Sequence, residues 1–127
     1  MRRRWYGISR GAGWVALLEQ RLRQERLNWR VVNASISGDT TSGGRSRLPA
    51  LLQQHRPRVV VIELGGNDAL RGLPLNMTQA NLSEMTRAAQ AAGARVLIAG
   101  MQVPQNYGRK YASDFANLFG AVAREHK

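Results

Sequence analysis

Val59-Val60-Val61-Ile62-Glu63-Leu64-Gly65-Gly66-Asn67-Asp68 is the stretch on which the fold turns. Four consecutive β-branched residues followed by Glu63 and Leu64 read as a strand buried on both faces, as in parallel sheets. Gly65 and Gly66 let the backbone turn where a side chain would obstruct it. Asn67 and Asp68 then fall just beyond the carboxyl end of the strand, the edge at which open α/β sheets bind ligands.

A second stretch repeats the pattern. Arg30 to Ile36 reads as a shorter strand running into Ser37-Gly38-Asp39-Thr40. Two strands that end in Gly-plus-Asp/Asn turns can aim backbone N–H and side-chain amide donors into one crevice, which is what an oxyanion hole for acyl transfer requires. Gly38 would offer its backbone N–H, and Asn67 its side-chain amide. Read by residue type alone, Gly38 is a turn glycine and Asn67 a turn cap; the surrounding runs favour the catalytic role. Asp39 and Asp68 read as braces that accept backbone N–H bonds within their loops.

Outside these turns the order is helix, strand, helix, strand, helix, strand, helix, the pattern of a parallel sheet with crossovers. The first helix is expected from Gly13 to Leu27, with Trp14, Leu17, Leu18 and Leu22 inward. Thr41 and Ser42 offer cap oxygens to a helix ending near His55, and Pro49 within it implies a late start or a kink. His55, just before Arg56-Pro57, suits a cation at a helix end. Ala69 to Asn76 reads as a loop, and Thr78 as the cap of a helix burying Leu82, Met85, Ala89 and Ala92. Gly93 ends that helix, and Arg95 to Met101 is the third strand. A last helix from about Arg109 carries Tyr111, Phe115, Leu118, Phe119 and Val122 on one side.

The runs Val32-Asn33-Ala34-Ser35-Ile36-Ser37-Gly38-Asp39-Thr40 and Glu63-Leu64-Gly65-Gly66-Asn67-Asp68 resemble two of the sequence blocks of the SGNH (GDSL-type) hydrolases. The likeness is strongest to the bacterial multifunctional branch described as acyl-CoA thioesterase, lysophospholipase and arylesterase. It extends from about Trp14 to the end and includes Arg47 to Leu52 and Pro104 to Gly108. The resemblance implies an α/β, three-layer, flavodoxin-like parallel sheet, and residues 1–127 as a single partial SGNH domain. It implies hydrolysis of carboxylic esters and acyl thioesters by a serine nucleophile, with Gly38 and Asn67 as oxyanion donors. Leu70, Leu73, Pro74, Asn106 and Tyr107 would wall an acyl-binding groove, and a small-molecule acyl ester or thioester would be the partner.

The family's first, central strand ends in Gly-Asp-Ser, and its last motif is Asp-x-x-His; neither occurs in these 127 residues. The expectation is therefore a chain truncated at both ends, lacking the family's first and last strands, and inactive alone. Arg2, Arg3 and Arg4 cannot replace a buried strand, since burying unpaired charge costs several kcal/mol each. The alternative is a non-catalytic protein that keeps the groove and binds acyl chains or lipids.

Composition narrows the rest. Hydrophobic residues make up 43% of the chain, enough for one domain with a sizeable core. The absence of cysteine excludes disulfides, zinc–thiolate sites and a cysteine nucleophile. Neither His55 nor His126 has metal-ligand spacing, so no metal and no cofactor is expected. The longest apolar run is too short to span a bilayer, so no transmembrane segment is expected. The resemblance implies export to the periplasm; the basic start lacks the apolar region of a signal peptide, which places the chain as given in the cytoplasm. A net charge of +11 raises the question of nucleic acid. The arginines are scattered, however, and carry no binding-module signature, so they read as solvated helix faces and no nucleic-acid partner is indicated. Glu63, in the strand, reads as paired with an arginine.

Gly7-Ile8-Ser9-Arg10-Gly11 fits the Gly-x-Ser-x-Gly pattern of a nucleophile elbow. An elbow needs a buried strand before it and acid and histidine partners after it. Met1 to Tyr6 cannot form that strand, so the match is accidental. Ser9 is accordingly expected to stay unlabelled by a fluorophosphonate probe; stoichiometric labelling would restore the elbow.

Overall fold

The computed structural model describes residues 14–25 and 31–126. The chain divides after Gly38 into two compact units, Met1–Gly38 and Asp39–Lys127. The Gly-x-Ser-x-Gly stretch, Arg2 to Arg4, Arg30 and both proposed ends of the first helix lie outside the described residues.

In the N-terminal unit, helix α1 spans Trp14–Gln24. Its inward positions are Val15, Leu18 and Leu22, at helical spacing, with Val15 buried. Leu17, expected inward, is 54% exposed. Val15, which the sequence reading did not place inward, is buried where Leu17 is not. No ladder forms at residues 31–36, where a strand was expected. The buried Asn33 side chain accepts from the Ser35 backbone N–H at 3.0 Å. Such a local bond offers the backbone an alternative to a sheet, and a strand persists only with a neighbour to pair with.

The C-terminal unit is α/β. Helix α2 (Thr41–His55) leads to strand β1 (Val59–Ile62), and the short helix α3 (Gly66–Leu70) follows. Helix α4 (Leu75–Ala91), strand β2 (Arg95–Ile98), a 3₁₀ turn at Gln105–Tyr107 and helix α5 (Arg109–His126) complete it. β1 and β2 run parallel, with Val59 opposite Arg95 and Ile62 opposite Ile98. Parallel neighbours need a long crossover, and α3 and α4 supply it.

The sheet buries one face. Val60, Ile62, Val96 and Ile98 pack with Leu82 and Met85 of α4 and Phe115, Leu118, Phe119 and Val122 of α5. On the other face Val59, Val61 and Leu97 are 43%, 36% and 61% exposed. The expectation of burial on both faces therefore fails for β1. A continuous β-branched run fixes strand propensity, but what covers each face is a tertiary matter. Glu63 lies past the end of β1, is exposed, and forms no ion pair with a described residue. Among the described residues the arginine partner expected for it is absent.

Helix ends also moved. Thr40, not Thr41 or Ser42, caps α2, its hydroxyl accepting from Gly43 N–H. The helix runs unbroken past Pro49 to the half-buried His55 and stops at Arg56, whose φ is +44°. The expected loop 69–76 shortens to residues 71–74, since α3 extends to Leu70 and α4 opens at Leu75 behind Pro74. Thr78 is therefore inside α4 and fully buried instead of capping it. At the other end, Gly93 N–H bonds to the Gln90 carbonyl and Ala94 N–H to the Ala89 carbonyl, both at 3.0 Å, the paired bonds of a Schellman stop. Ala92 is exposed at this stop, and Ala94 is buried in its place.

α5 follows the expected register closely, with Phe115, Leu118, Phe119 and Val122 buried. The Phe115 and Phe119 rings meet edge-on at 5.2 Å, a favoured aromatic geometry. Phe115 has no exposed surface. Phe115→Ala should cost about 3–5 kcal/mol, the range for a large core aromatic. Chemical denaturation reads this as a lower midpoint; an unchanged midpoint would place Phe115 outside the core.

Candidate functional site

The turn after β1 is shaped by the aromatic pair beneath it. Gly65 has φ +126°, and a Cβ there would lie 3.2 Å from Cζ of Phe119. Only glycine combines that backbone angle with so close a ring. The turn delivers Asn67 and Asp68 to the first turn of α3, at the carboxyl end of the sheet.

Asp68 is 1% exposed and accepts three hydrogen bonds. Its Oδ1 takes the Thr41 backbone N–H at 2.8 Å. Its Oδ2 takes the hydroxyls of Thr41 at 2.5 Å and Thr78 at 2.9 Å. Thr41 Oγ1 in turn accepts from Asn81 Nδ2 at 3.1 Å, and Asn81 Oδ1 accepts from Arg45 Nη1 at 3.2 Å. The chain of donors thus runs from a guanidinium to a buried carboxylate, with every member oriented the same way. Such ordered chains strengthen their members. Asp68 was expected to brace its own loop. It instead ties α3 to the start of α2 and to the first turn of α4.

Asn67 is half-buried, and its Nδ2 donates to the Asp39 carbonyl at 3.1 Å. That bond uses one amide hydrogen and sets the plane of the group. Asp39 behaves as the brace the sequence suggested: Oδ1 accepts from Thr40 N–H at 3.0 Å. Its Oδ2 accepts from Arg47 Nε at 3.1 Å and Nη2 at 2.6 Å. Gly38 closes the N-terminal unit in a turn with φ +80°, and a Cβ there would meet nothing within 4 Å. It immediately precedes Asp39 in the chain.

Leu70 is 69% exposed at the end of α3; Pro74 is exposed and Leu73 half-buried. Met77, in the first turn of α4, is 51% exposed. Asn106 is exposed in the 3₁₀ turn, and Tyr107 stacks on Tyr111 with ring centres 6.4 Å apart. A groove of about 500 Å³ opens past β2, lined by Gly100, Met101, Gln102 and Ala116. Its Met101 reaches back toward α3, where a Cβ on Gly66 would stand 3.4 Å from the sulfur. A second groove, about 570 Å³, lies between the carboxyl ends of α2 and α4, where Leu52, Arg56 and Ala91 face it. Both helices end where the strands begin, so it is at the opposite end of the sheet from Asn67.

Sequence reasoning missed Thr41, Thr78 and Asn81 as members of the Asp68 network. Their spacing does carry a signal, since Thr78 and Asn81 stand three apart on one face of α4 among apolar residues. It missed the place of His126 as well, which is tied to α4. Ser83 Oγ lies 2.5 Å from His126 Nε2, and Gln90 Nε2 donates to the His126 carbonyl at 3.0 Å. Glu125 stands 4.0 Å from the same Nε2. A catalytic triad places its acid on the other ring nitrogen, Nδ1. The group is a tie between α4 and α5. Among the described residues no set of three His, Asp or Glu side chains is placed to hold a metal ion, and no helix is long and apolar enough to cross a membrane.

The Tyr111 hydroxyl is buried without a hydrogen-bond partner. Burial first, then the charge of Asp68, then Tyr107 push its pKa above the usual phenol value. Both the carboxylate and the phenolate are negative, so removing the former eases ionisation of the latter. Asp68→Asn should therefore lower the Tyr111 pKa, as followed by the ring-carbon NMR shift against pH. No movement would mean that the carboxylate does not act on this ring.

The sequence profile of the GDSL-like Lipase/Acylhydrolase family matches residues 4–127. Esterase TesA of Pseudomonas aeruginosa is 54% identical over 121 residues, an overlap covering 95% of this chain and 60% of that protein. Thioesterase 1/protease 1/lysophospholipase L1 of Escherichia coli strain K12 is 44% identical over 120 residues, covering 94% and 56%. The crystal structure of TesA superposes with a TM-score of 0.91 at 53% identity, over 95% of this chain and 67% of that one. The chain thus spans well under two thirds of the length of the two relatives compared by sequence.

Proposed function

The chain belongs to the GDSL-like lipase/acylhydrolase family, and from that premise we propose that it carries the oxyanion half of a hydrolase for carboxylic esters and acyl thioesters. The observation that carries this reading is Asn67. Its amide is half-buried at the carboxyl end of the sheet and is fixed in plane by the Asp39 carbonyl. A donor held in advance is worth most where charge develops, because no reorganisation is needed as the reaction proceeds. Gly38 N–H is the second donor in this reading. The similarity to an esterase and to a thioesterase/lysophospholipase supports acyl esters and thioesters as substrates.

In the reaction so read, a serine attacks the acyl carbonyl, and the carbonyl oxygen takes on negative charge. Asn67 and Gly38 bind that oxygen, the leaving alcohol or thiol departs, and water releases the acid. Leu70, Leu73 and Pro74, with Asn106 and Tyr107, wall the acyl chain. Gly-Asp-Ser and Asp-x-x-His, which would bring nucleophile and base, do not occur in these 127 residues. Donors without a nucleophile give only residual catalysis.

The 127-residue chain alone is accordingly expected to hydrolyse p-nitrophenyl butyrate no faster than a non-enzyme protein. Joined to Gly-Asp-Ser and Asp-x-x-His segments, it should turn over. Asn67→Ala should then lower kcat by about 10²–10³ with little change in KM, the mark of an interaction made in the transition state. A rise in KM alone would make Asn67 a binding residue and move the site elsewhere.

A further inference from the structure

The geometry points to Asp68, with Thr41 and Thr78, as a positioning set that aims the Asn67 amide. This rests on the reading of Asn67 as an oxyanion donor. α3 is only five residues long, too short to hold its own orientation by helix propensity. What orients it is a double grip on the start of α2. Asn67 holds the Asp39 carbonyl, and the adjacent Asp68 holds both the backbone N–H and the hydroxyl of Thr41. Two consecutive residues of one helix are thereby bound to Asp39, just before the α2 cap, and to Thr41, the first residue of α2, and a rotation of α3 that freed one bond would strain the other.

Thr78 makes this grip rigid from a third direction. Its hydroxyl reaches Asp68 Oδ2 from α4, and it has no exposed surface. Thr41, Thr78 and Asp68 are all nine-tenths or more buried, so water cannot replace a lost donor without cost. The carboxylate oxygens are taken up by Thr41 and Thr78 in this arrangement. The carboxylate works through Asn67, whose free amide hydrogen is directed by where Asp39 and α3 are held. Displacement of such a group by about 1 Å can cost as much as 10²-fold in rate.

Thr78→Val removes one hydroxyl at nearly constant shape, and Thr78→Ser keeps it. In the chain joined to Gly-Asp-Ser and Asp-x-x-His segments, Thr78→Val should lower kcat for p-nitrophenyl butyrate by at least about tenfold, with KM changed less than twofold. Thr78→Ser should restore the rate. In an Asn67→Ala background, Thr78→Val should have no further effect on kcat, since its influence passes through that amide. An equal loss in both backgrounds, or an unchanged kcat in a folded Thr78→Val protein, overturns the inference.

A second measurement separates this inference from the hydrolase reading. In the 127-residue chain, the scalar coupling across the hydrogen bond from Asn67 Nδ2 to the Asp39 carbonyl carbon should be visible. It should vanish in Thr78→Val and return in Thr78→Ser. Should no form hydrolyse an ester while the coupling behaves this way, the hydrolase reading fails and the positioning set stands. A coupling that is absent from the unaltered chain, or indifferent to Thr78→Val, overturns the positioning set whatever the activity.

Discussion

A carboxylate buried as deeply as that of Asp68 can exist only if its oxygens are satisfied, and satisfying them organises this unit. Leaving one buried acceptor without a donor costs about 1–3 kcal/mol, and more when the group is charged. The donors come from the first residue of α2 and the first turn of α4, while Asp68 itself sits in α3. Three helix beginnings therefore converge on one side chain at the carboxyl end of the sheet. That end is where Asn67 stands.

The convergence also explains the capping pattern. Thr41 is one residue inside α2 and spends its hydroxyl on Asp68, so Thr40 is left to cap the helix. Thr78 is the fourth residue of α4 and is likewise unavailable as a cap. In both cases a threonine that would serve a helix end by local rules serves a distant carboxylate instead. The tertiary bond wins because it satisfies a charge, and hydrogen bonds to charged groups are about twice as strong as neutral ones.

Beneath the polar cluster, the core is built from one face of a two-stranded parallel sheet and from α4 and α5. Phe115 and Phe119 do double service, filling that core and standing under Gly65. The turn that presents Asn67 is thus shaped from below by aromatic rings and from the side by Asp68. Hydrophobic burial sets the height of the site, and hydrogen bonds set its direction.

Residue patterns alone determined a good deal: the α/β class, the β-branched strand at Val59, the inward face of α5, the stop at Gly93, and the pair of turns bearing Gly38 and Asn67. These rest on short-range physics, in which side-chain period, φ limits and turn chemistry are properties of a few neighbouring residues. Only the tertiary structure decided that residues 31–36 form no strand, that β1 is covered on one face, and that Glu63 is exposed beyond the strand. It alone also showed that Thr41, Thr78 and Asn81 belong to the hydrogen-bond network of Asp68. These outcomes depend on what lies across a ladder, over a face or around a carboxylate, and such partners are 10 to 40 residues away in sequence: Thr41 and Asp68 are 27 apart, Asn81 and Thr41 are 40 apart. No local pattern encodes a contact of that separation, because either threonine could have capped its helix with equal local satisfaction.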